Sequence, residues 1–369
     1  MGDDRHYWLG FNLVRGIGAV RLHSLMDHFG SVEAAWHGKP DELRAAGLGP
    51  KTVARLIALR RDVDLELLWR DVESQGVSVL ISTDANYPAR LREIEQPPPV
   101  LFVRGEWSPE DQIAVAIVGT RRATAYGRQI ADQLSARLAS AGITIVSGLA
   151  RGVDQIAHSS ALAAGGRSIA VLGSGVDRIY PPENRALAEK IAVSGALLSD
   201  YPMGTAPESG NFPPRNRIIS GLSVATIVVE AGETSGALIT AEFAAEQGRD
   251  VFAVPGSILA PQSKGTNRLI QNGAAPLLEA EDVLEVLHLE HAQQYRKART
   301  VLPVDEIEHE VLRRLGTEPL HVDEIRGQTG LPMEKISAAL VMMELKGMVR
   351  HVGGMQYVVM REVQSGYSV

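Results

Sequence analysis

Three hydrophobic rhythms follow one another along the chain. Up to about residue 84 the apolar positions recur at helical spacing. Val20, Leu22, Leu25, Met26 and Phe29 follow Gly16-Ile17-Gly18, and Val53, Leu56 and Ile57 follow Gly47-Leu48-Gly49. A 3.6-residue period with one apolar stripe predicts amphipathic helices packed on one another. Residues 85–111 lose the period. Pro88, Pro97, Pro98 and Pro99 fix φ and remove backbone donors, so the stretch reads as an extended connector. From 112 to 287 short runs that are apolar throughout alternate with longer amphipathic stretches. The runs are Ile113–Val118, Ile143–Val146, Ser168–Leu172, Ala196–Leu198, Val224–Val229 and Val251–Val254. Between them lie Gly127–Ala141, Val153–Ala164, Glu183–Val193 and Ala237–Gln247. A strand with no polar face is buried on both sides, and strand, helix, strand at this spacing predicts parallel βαβ units.

The last part changes again. Residues 288–304 are a polar linker carrying Arg296, Lys297 and Arg299. Residues 305–360 pattern as a winged helix: Ile307, Val311, Leu312 and Leu315 line one helix, His321–Gly330 and Pro332–Lys346 make two more, and Met348–Val352 and Gln356–Met360 alternate about Gly353-Gly354 as a hairpin does. Residues 361–369 are a tail. The predicted fold class is therefore α/β: an extended Rossmann-like, doubly wound, mostly parallel sheet, with a small helical N-terminal domain over 1–84 and a C-terminal winged helix. The two Gly-x-Gly turns of residues 1–84 suit a SAM-like or helix-hairpin-helix-like unit. Glycine before a helix exposes N–H groups that can hold a phosphate, but tight helix packing explains the glycines equally directly, and that reading is preferred.

Composition narrows the chemistry. The 369 residues include no cysteine, which removes disulfides, thiolate nucleophiles and Cys-based zinc sites and fits a cytoplasmic setting. Met1–Gly10 has no basic stretch followed by an apolar run, so no signal peptide is expected. No run of some 18 apolar residues predicts a membrane span. The net charge of −7 argues against general nucleic-acid affinity, yet salt screens distant charge beyond about 8–10 Å, so a locally basic groove can still bind phosphates.

In a doubly wound sheet ligands bind beyond the carboxyl ends of the strands, so the loops after each run carry the expected chemistry. They are Gly119-Thr120-Arg121-Arg122, Ser147-Gly148-Leu149-Ala150-Arg151-Gly152-Val153-Asp154, Gly173-Ser174-Gly175 through Tyr180-Pro181, Asn211-Phe212-Pro213-Pro214-Arg215-Asn216-Arg217, Glu230 through Gly236, and Lys264-Gly265-Thr266-Asn267-Arg268. Arg121, Arg122, Arg151, Arg178, Arg185, Arg215, Arg217, Lys264 and Arg268 are expected along one rim. Guanidinium forks and glycine-loop amides together suit a polyphosphate. Some of these cations are expected to pair instead with Asp154, Asp177, Asp200 or Glu230. Gly173-Ser174-Gly175 lacks the Gly-x-Gly-x-x-Gly spacing and no Walker lysine is present, so no cofactor is expected. No catalytic set emerges: His158 reads as a structural helix residue, Ser147 lies outside a nucleophile elbow, and no acidic or histidine cluster suggests a metal.

These loops resemble those of the DprA family. The resemblance rests on Val118–Arg122, Ser147–Asp154 with Ala157-His158, Tyr180-Pro181 with Asn184, Asn211–Ile219, Glu230-Ala231 with Ser235–Leu238, and Val254-Pro255-Gly256 with Gly265-Thr266-Asn267. It implies a homodimer without enzymatic activity that binds single-stranded DNA and loads a RecA-type recombinase onto strands coated by single-strand-binding protein, chiefly in natural transformation. The strand-contacting set it implies is Gly119, Thr120, Arg121, Ser147, Gly148, Arg151, Gly152, Arg215, Asn216, Arg217, Lys264 and Asn267, with Arg122 beside them. Some relatives carry lysine just after the tyrosine-proline pair, where this chain has Pro182. Arg185, one helical turn on, is placed to substitute for it. Tyr180 and Phe212 are the candidates for stacking unpaired bases. The last predicted helix of the winged domain presents Glu334, Lys335, Ser337, Glu344 and Lys346 and no arginine or asparagine, so a protein-contact role is preferred there to duplex reading.

Two other readings share parts of this pattern. One is a nucleotide phosphoribohydrolase of the same Rossmann variant. Its Pro-Gly-Gly-x-Gly-Thr-x-x-Glu signature would fall near residues 231–239, where this chain has Ala-Gly-Glu-Thr-Ser-Gly-Ala-Leu-Ile and lacks the acid. The other is a winged-helix transcription regulator.

Overall fold

The computed structural model describes residues 4–286, 306–315, 319–345 and 348–359. The expected linker at 288–304 and tail at 361–369 lie outside them. The chain divides into two compact units, Met1–Val283 and Leu284–Val369.

The first unit opens with helices α1 (Arg5–Asn12), α2 (Ala19–Phe29), α3 (Val32–His37), α4 (Pro40–Ala45), α5 (Pro50–Asp62) and α6 (Leu65–Ser74). They bury Leu9, Phe11, Leu25, Trp36, Leu43 and Leu56 against one another. Strand β1 (Val77–Ile81) follows, then α7 (Ala89–Arg92) and β2 (Val100–Gly105). This differs from the expected boundaries: residues 1–84 end in a strand, and the proline-marked connector contains another. Pro97–Pro99 end just before β2, so they set its start without entering its ladder.

The α/β alternation then runs β3 (Ala114–Val118), α8 (Ala125–Ser140), β4 (Thr144–Ser147), α9 (Val153–Ala163), β5 (Ser168–Val171), α10 (Arg185–Ser194), β6 (Ala196–Ser199), α11 (Phe212–Gly221), β7 (Ala225–Val228), α12 (Gly236–Glu246), β8 (Asp250–Ala253), α13 (Lys264–Gln271), β9 (Ala275–Pro276) and α14 (Ala280–Val286). Among the described residues the strands form a nine-stranded sheet in the order β1-β2-β6-β5-β4-β3-β7-β8-β9. Strands β3 to β9 pair in parallel, while β1–β2 and β2–β6 pair antiparallel. This is the expected doubly wound, mostly parallel sheet. Its strand order reverses at β3, which lies between β4 and β7. The first strand of the alternation is therefore central, and the connections leaving β3 and β7 run to opposite sides, to β4 and to β8, which opens a crevice at their carboxyl ends. Helix α8 packs on α9 and α11 on α12.

Strands β1 and β2 have two apolar faces. Val77, Val79, Ile81, Val100 and Phe102 join the core of the N-terminal helices, whereas Leu80, Leu101 and Val103 join the core of the central sheet. The alternation is the ordinary period of two, used here to wall off two cores at once.

The second unit is the expected winged helix. Helices Glu306–Leu312, Val322–Thr329 and Met333–Leu345 pack on a small sheet of β10 (Leu320–His321), β11 (Val349–Gly353) and β12 (Gln356–Val359). Val311, Ile325, Ile336, Leu340, Met343 and Val349 fill its core.

Candidate nucleic-acid interface

The site begins where β3 ends. Thr120 N–H donates to Glu230 O at 2.7 Å, tying the loop after β3 to the loop after β7. Glu230 is buried and points back into the same junction. Its carboxylate accepts from Thr124 N at 2.9 Å and from Thr124 Oγ1 at 2.5 Å, while Thr124 Oγ1 caps α8 by accepting from Gly127 N at 3.1 Å. Of the acids expected to brace a cation, Glu230 thus braces a threonine. Sequence reasoning passed over Thr124, although a threonine just ahead of a helical stretch is a cap signal.

The loop after β4 is held from inside. Asp154 is buried and accepts from Gly148 N at 3.1 Å and Ala150 N at 3.3 Å. Burial pushes its carboxyl above the usual range, against the pull of the neighbouring Arg215 guanidinium. Arg215 is itself 4% exposed. It donates to Gly148 O and to Val171 O, joining the ends of β4 and β5, and burial lowers its pKa to about 10. A Cβ on Gly148 would lie 2.6 Å from this guanidinium, so the glycine makes room for an arginine rather than for a ligand.

Several residues expected to contact a strand already have partners inside the protein. Arg215 is an internal strut. Ser147 is buried with its hydroxyl donating to Ile117 O at 2.6 Å, and the Gly148 amide is engaged by Asp154. Asn216 donates to Gly236 O at 3.3 Å. Arg217 is held by Asp200 at 2.9 Å and by Gln96 O at 3.1 Å. Both ends of the Asn267 amide bond the backbone of Gly256, at 3.1 and 3.0 Å. Ser147, Gly148, Arg215 and Asn216 are buried, where a polar group demands an internal partner, whereas Arg217 and Asn267 are half-buried.

What remains on the surface is a smaller cationic set. Arg121, Arg122, Arg151, Arg178, Arg185, Lys264 and Arg268 are exposed. Arg151 pairs with Glu183, Arg178 with Asp177 at 3.2 Å and Lys264 with Glu233 at 3.9 Å. Exposed pairs of this kind contribute little to stability, on the order of 0–1 kcal/mol, so the cations exchange partners readily. Arg121 lies over the Phe212 ring at 5.7 Å, Arg215 lies over the same ring at 5.9 Å, and Tyr180 is 5.7 Å from it at a tilt of 39°.

A cleft of 810 Å³ gathers Gly119, Thr120, Arg121, Arg122, Tyr180, Phe212, Arg215 and Asn216 at the β3–β7 switch. Thr234 and Ser235, from the expected loop after β7, also line it, as do Pro207 and Ser209, which had no distinguishing sequence signal. Lys264, Asn267 and Arg268 line a second hollow of 870 Å³ with Glu233. Arg151, Gly152, Arg185 and Arg217 belong to neither.

His158 is a buried helix residue, as its position in the pattern implied. Nδ1 lies 2.7 Å from Ser168 Oγ, and burial lowers its pKa to about 3. Among the described residues no three His, Cys, Asp or Glu side chains converge on a metal position, and no helix is long and apolar enough to cross a membrane.

A doubly wound sheet with arginines and an aromatic pair at its topological switch defines a Rossmann-like protein with an arginine-lined cleft. The chain belongs to the DNA recombination-mediator protein A family, whose profile matches residues 78–288, and residues 296–355 match the DprA winged helix domain. It is 38% identical to Protein Smf of Synechocystis over 96% of this chain and 98% of that one. It is 46% identical to the DNA processing protein DprA of Bacillus subtilis over 58% of this chain and 72% of that one. The crystal structure of DprA from Streptococcus pneumoniae superposes with a TM-score of 0.68 at 35% identity, covering 77% of this chain and 98% of that chain. A structure described as showing the single-stranded DNA binding mode of Helicobacter pylori DprA superposes at 0.53 with 33% identity, over 58% of this chain and 96% of that chain.

Proposed function

We propose that this chain binds single-stranded DNA along the carboxyl edge of its sheet and hands the strand to a RecA-type recombinase, displacing single-strand-binding protein. The observation that carries the reading is Arg121, exposed at the switch point and stacked on Phe212 beside Tyr180. This puts a phosphate-binding fork next to two aromatic faces, the combination that unpaired nucleotides need. Membership of a recombination-mediator family and the binding mode named for the Helicobacter pylori relative support it.

Arg121, Arg122, Arg151, Arg185 and Lys264 take phosphates, and Gly119, Thr120 and Gly152 shape the loops that carry them. Ser147, Gly148, Arg215, Asn216, Arg217 and Asn267 act behind them by fixing loop geometry. No chemical reaction is assigned. The working form is a cytoplasmic homodimer, and the winged helix is an auxiliary or protein-contact module rather than the strand-binding surface.

Gel-shift titration with single-stranded and duplex oligonucleotides across salt tests the reading, on wild type and on an Arg121→Glu/Arg151→Glu variant. Expected are preference for the single strand, weak sequence dependence, and affinity at least tenfold weaker in the variant. Equal affinity for duplex, or an unaffected variant, counts against it. Release of free base from AMP-type nucleotides would instead support the phosphoribohydrolase alternative.

A further inference from the structure

The chain carries −7 overall, yet Leu13–Met26 and Arg44–Arg61 contain no acidic residue at all. The structure brings the two stretches together. Arg55 of α5 donates to Arg15 O at 3.1 Å, and Arg21 of α2 donates to Gly16 O. A Cβ on Gly16 would lie 3.4 Å from Thr52 Oγ1, so the turn before α2 sits directly on the start of α5. Arg15, Arg21, Lys51 and Arg55 are all exposed around this junction, and none has an ion pair with an acid among the described residues. Of the other basic side chains in these two stretches, Arg60 lies over Trp36 at 5.5 Å and Arg44 pairs with Asp41.

The patch is also placed beside the proposed strand path. Asn12, the last residue of α1, donates to Asp200 O at 3.2 Å, immediately beyond the carboxyl end of β6. Val176 and Met203, from the loops after β5 and β6, pack into the core of the N-terminal helices. Arg15 is three residues past Asn12, a reach of at most about 11 Å. A strand leaving the sheet's carboxyl edge therefore meets this patch next.

We propose that Arg15, Arg21, Lys51 and Arg55 form a second DNA contact, to the sugar-phosphate backbone of the same single strand where it runs off the sheet onto the N-terminal helices. The proposal rests on the carboxyl-edge reading above and extends it in length. Four cations without neighbouring acids hold a local positive potential that the remote negative charge does not cancel, because that charge is screened within about 8–10 Å. They touch phosphates alone, so the extension adds affinity without sequence preference.

The test uses the full chain and oligo-dT strands of about 6 and about 30 nucleotides, one within and one well beyond the roughly 4–16 nucleotides covered by a single binding module. Arg15→Gln/Lys51→Gln is the informative variant, since both side chains are exposed and neither supports a backbone carbonyl; an unchanged melting temperature confirms that it folds. Expected are unchanged affinity for the short strand and about five- to tenfold weaker binding of the long one. The log–log salt slope for the long strand should fall by about 1.4, at about 0.7 for each of the two phosphates no longer neutralised. Arg15→Lys should restore most of its share. Unchanged affinity and slope for the long strand, or an equal weakening on both lengths, overturns the proposal. An Arg121→Gln/Arg122→Gln variant that still binds the short strand normally would instead overturn the carboxyl-edge reading, so the two failures are told apart.

Discussion

Phe212 is the residue on which most of the cleft depends. It opens α11, lies under both the Arg121 and the Arg215 guanidinium, and neighbours Tyr180. If it stacks a base, Phe212→Ala weakens single-strand binding by about 1–3 kcal/mol, and Phe212→Tyr keeps most of the affinity. Fluorescence anisotropy with a labelled oligonucleotide reads both, and an alanine variant within twofold of wild type removes the stacking role. His158 yields a different prediction. Its folded pKa is about 3 against an ordinary 6.5, so as pH falls through that window the unfolded chain takes up a proton that the native one refuses. Stability from this group is whole above pH 6.5 and is lost toward pH 3, at about 1.4 kcal/mol per unit. The raised carboxyl of Asp154 acts in the opposite sense, so the comparison must be with His158→Gln. Urea melts from pH 7 to 4 should show a slope shallower by about one proton in the variant; parallel slopes would rule this origin out.

At the scale of elements, the six apolar strand runs and the helices between them were legible because a parallel sheet covered on both faces leaves its strands no polar side. Strands β1 and β2 were not. Pro97–Pro99 directly precede Val100–Gly105 and mask it, and Val77–Ile81 follows six helices without a break in apolar character that sets it apart. The candidate site was legible as a set of loops but not as a set of side chains. Arg215 shows why. It shares the spacing of Ile218, Ile219 and Leu222, all buried, so periodicity alone puts it on the inner face of α11; its charge argues for the surface, and the packing wins. Loop glycines carry a related lesson. Gly152 has φ +76°, and a Cβ there would sit 2.3 Å from Thr120 O. Gly152→Ala should cost about 1–3 kcal/mol of stability and loosen the Arg121 loop, seen as a lower melting temperature together with weaker strand binding. A variant that melts like wild type would place the strain elsewhere.

For the whole molecule the proposed function asks how a chain of net charge −7 would bind a polyanion. Under the proposed reading the exposed Arg121, Arg122, Arg151, Arg185 and Lys264 act on a strand at short range, whereas charge more than about 8–10 Å away is screened. The expected signature is affinity that falls steeply with salt, more steeply than at a site held by apolar contact alone. One architectural detail bears on how force would travel through such a complex. The partition made by β1 and β2 belongs equally to the hydrophobic interiors on its two sides, with Val79 facing one and Leu80 the other. Neither interior can open without stripping the other of a wall. The amino-terminal helices and the sheet should therefore melt together as one cooperative body, and a filament pulling on the strand would meet a rigid splint rather than a hinge.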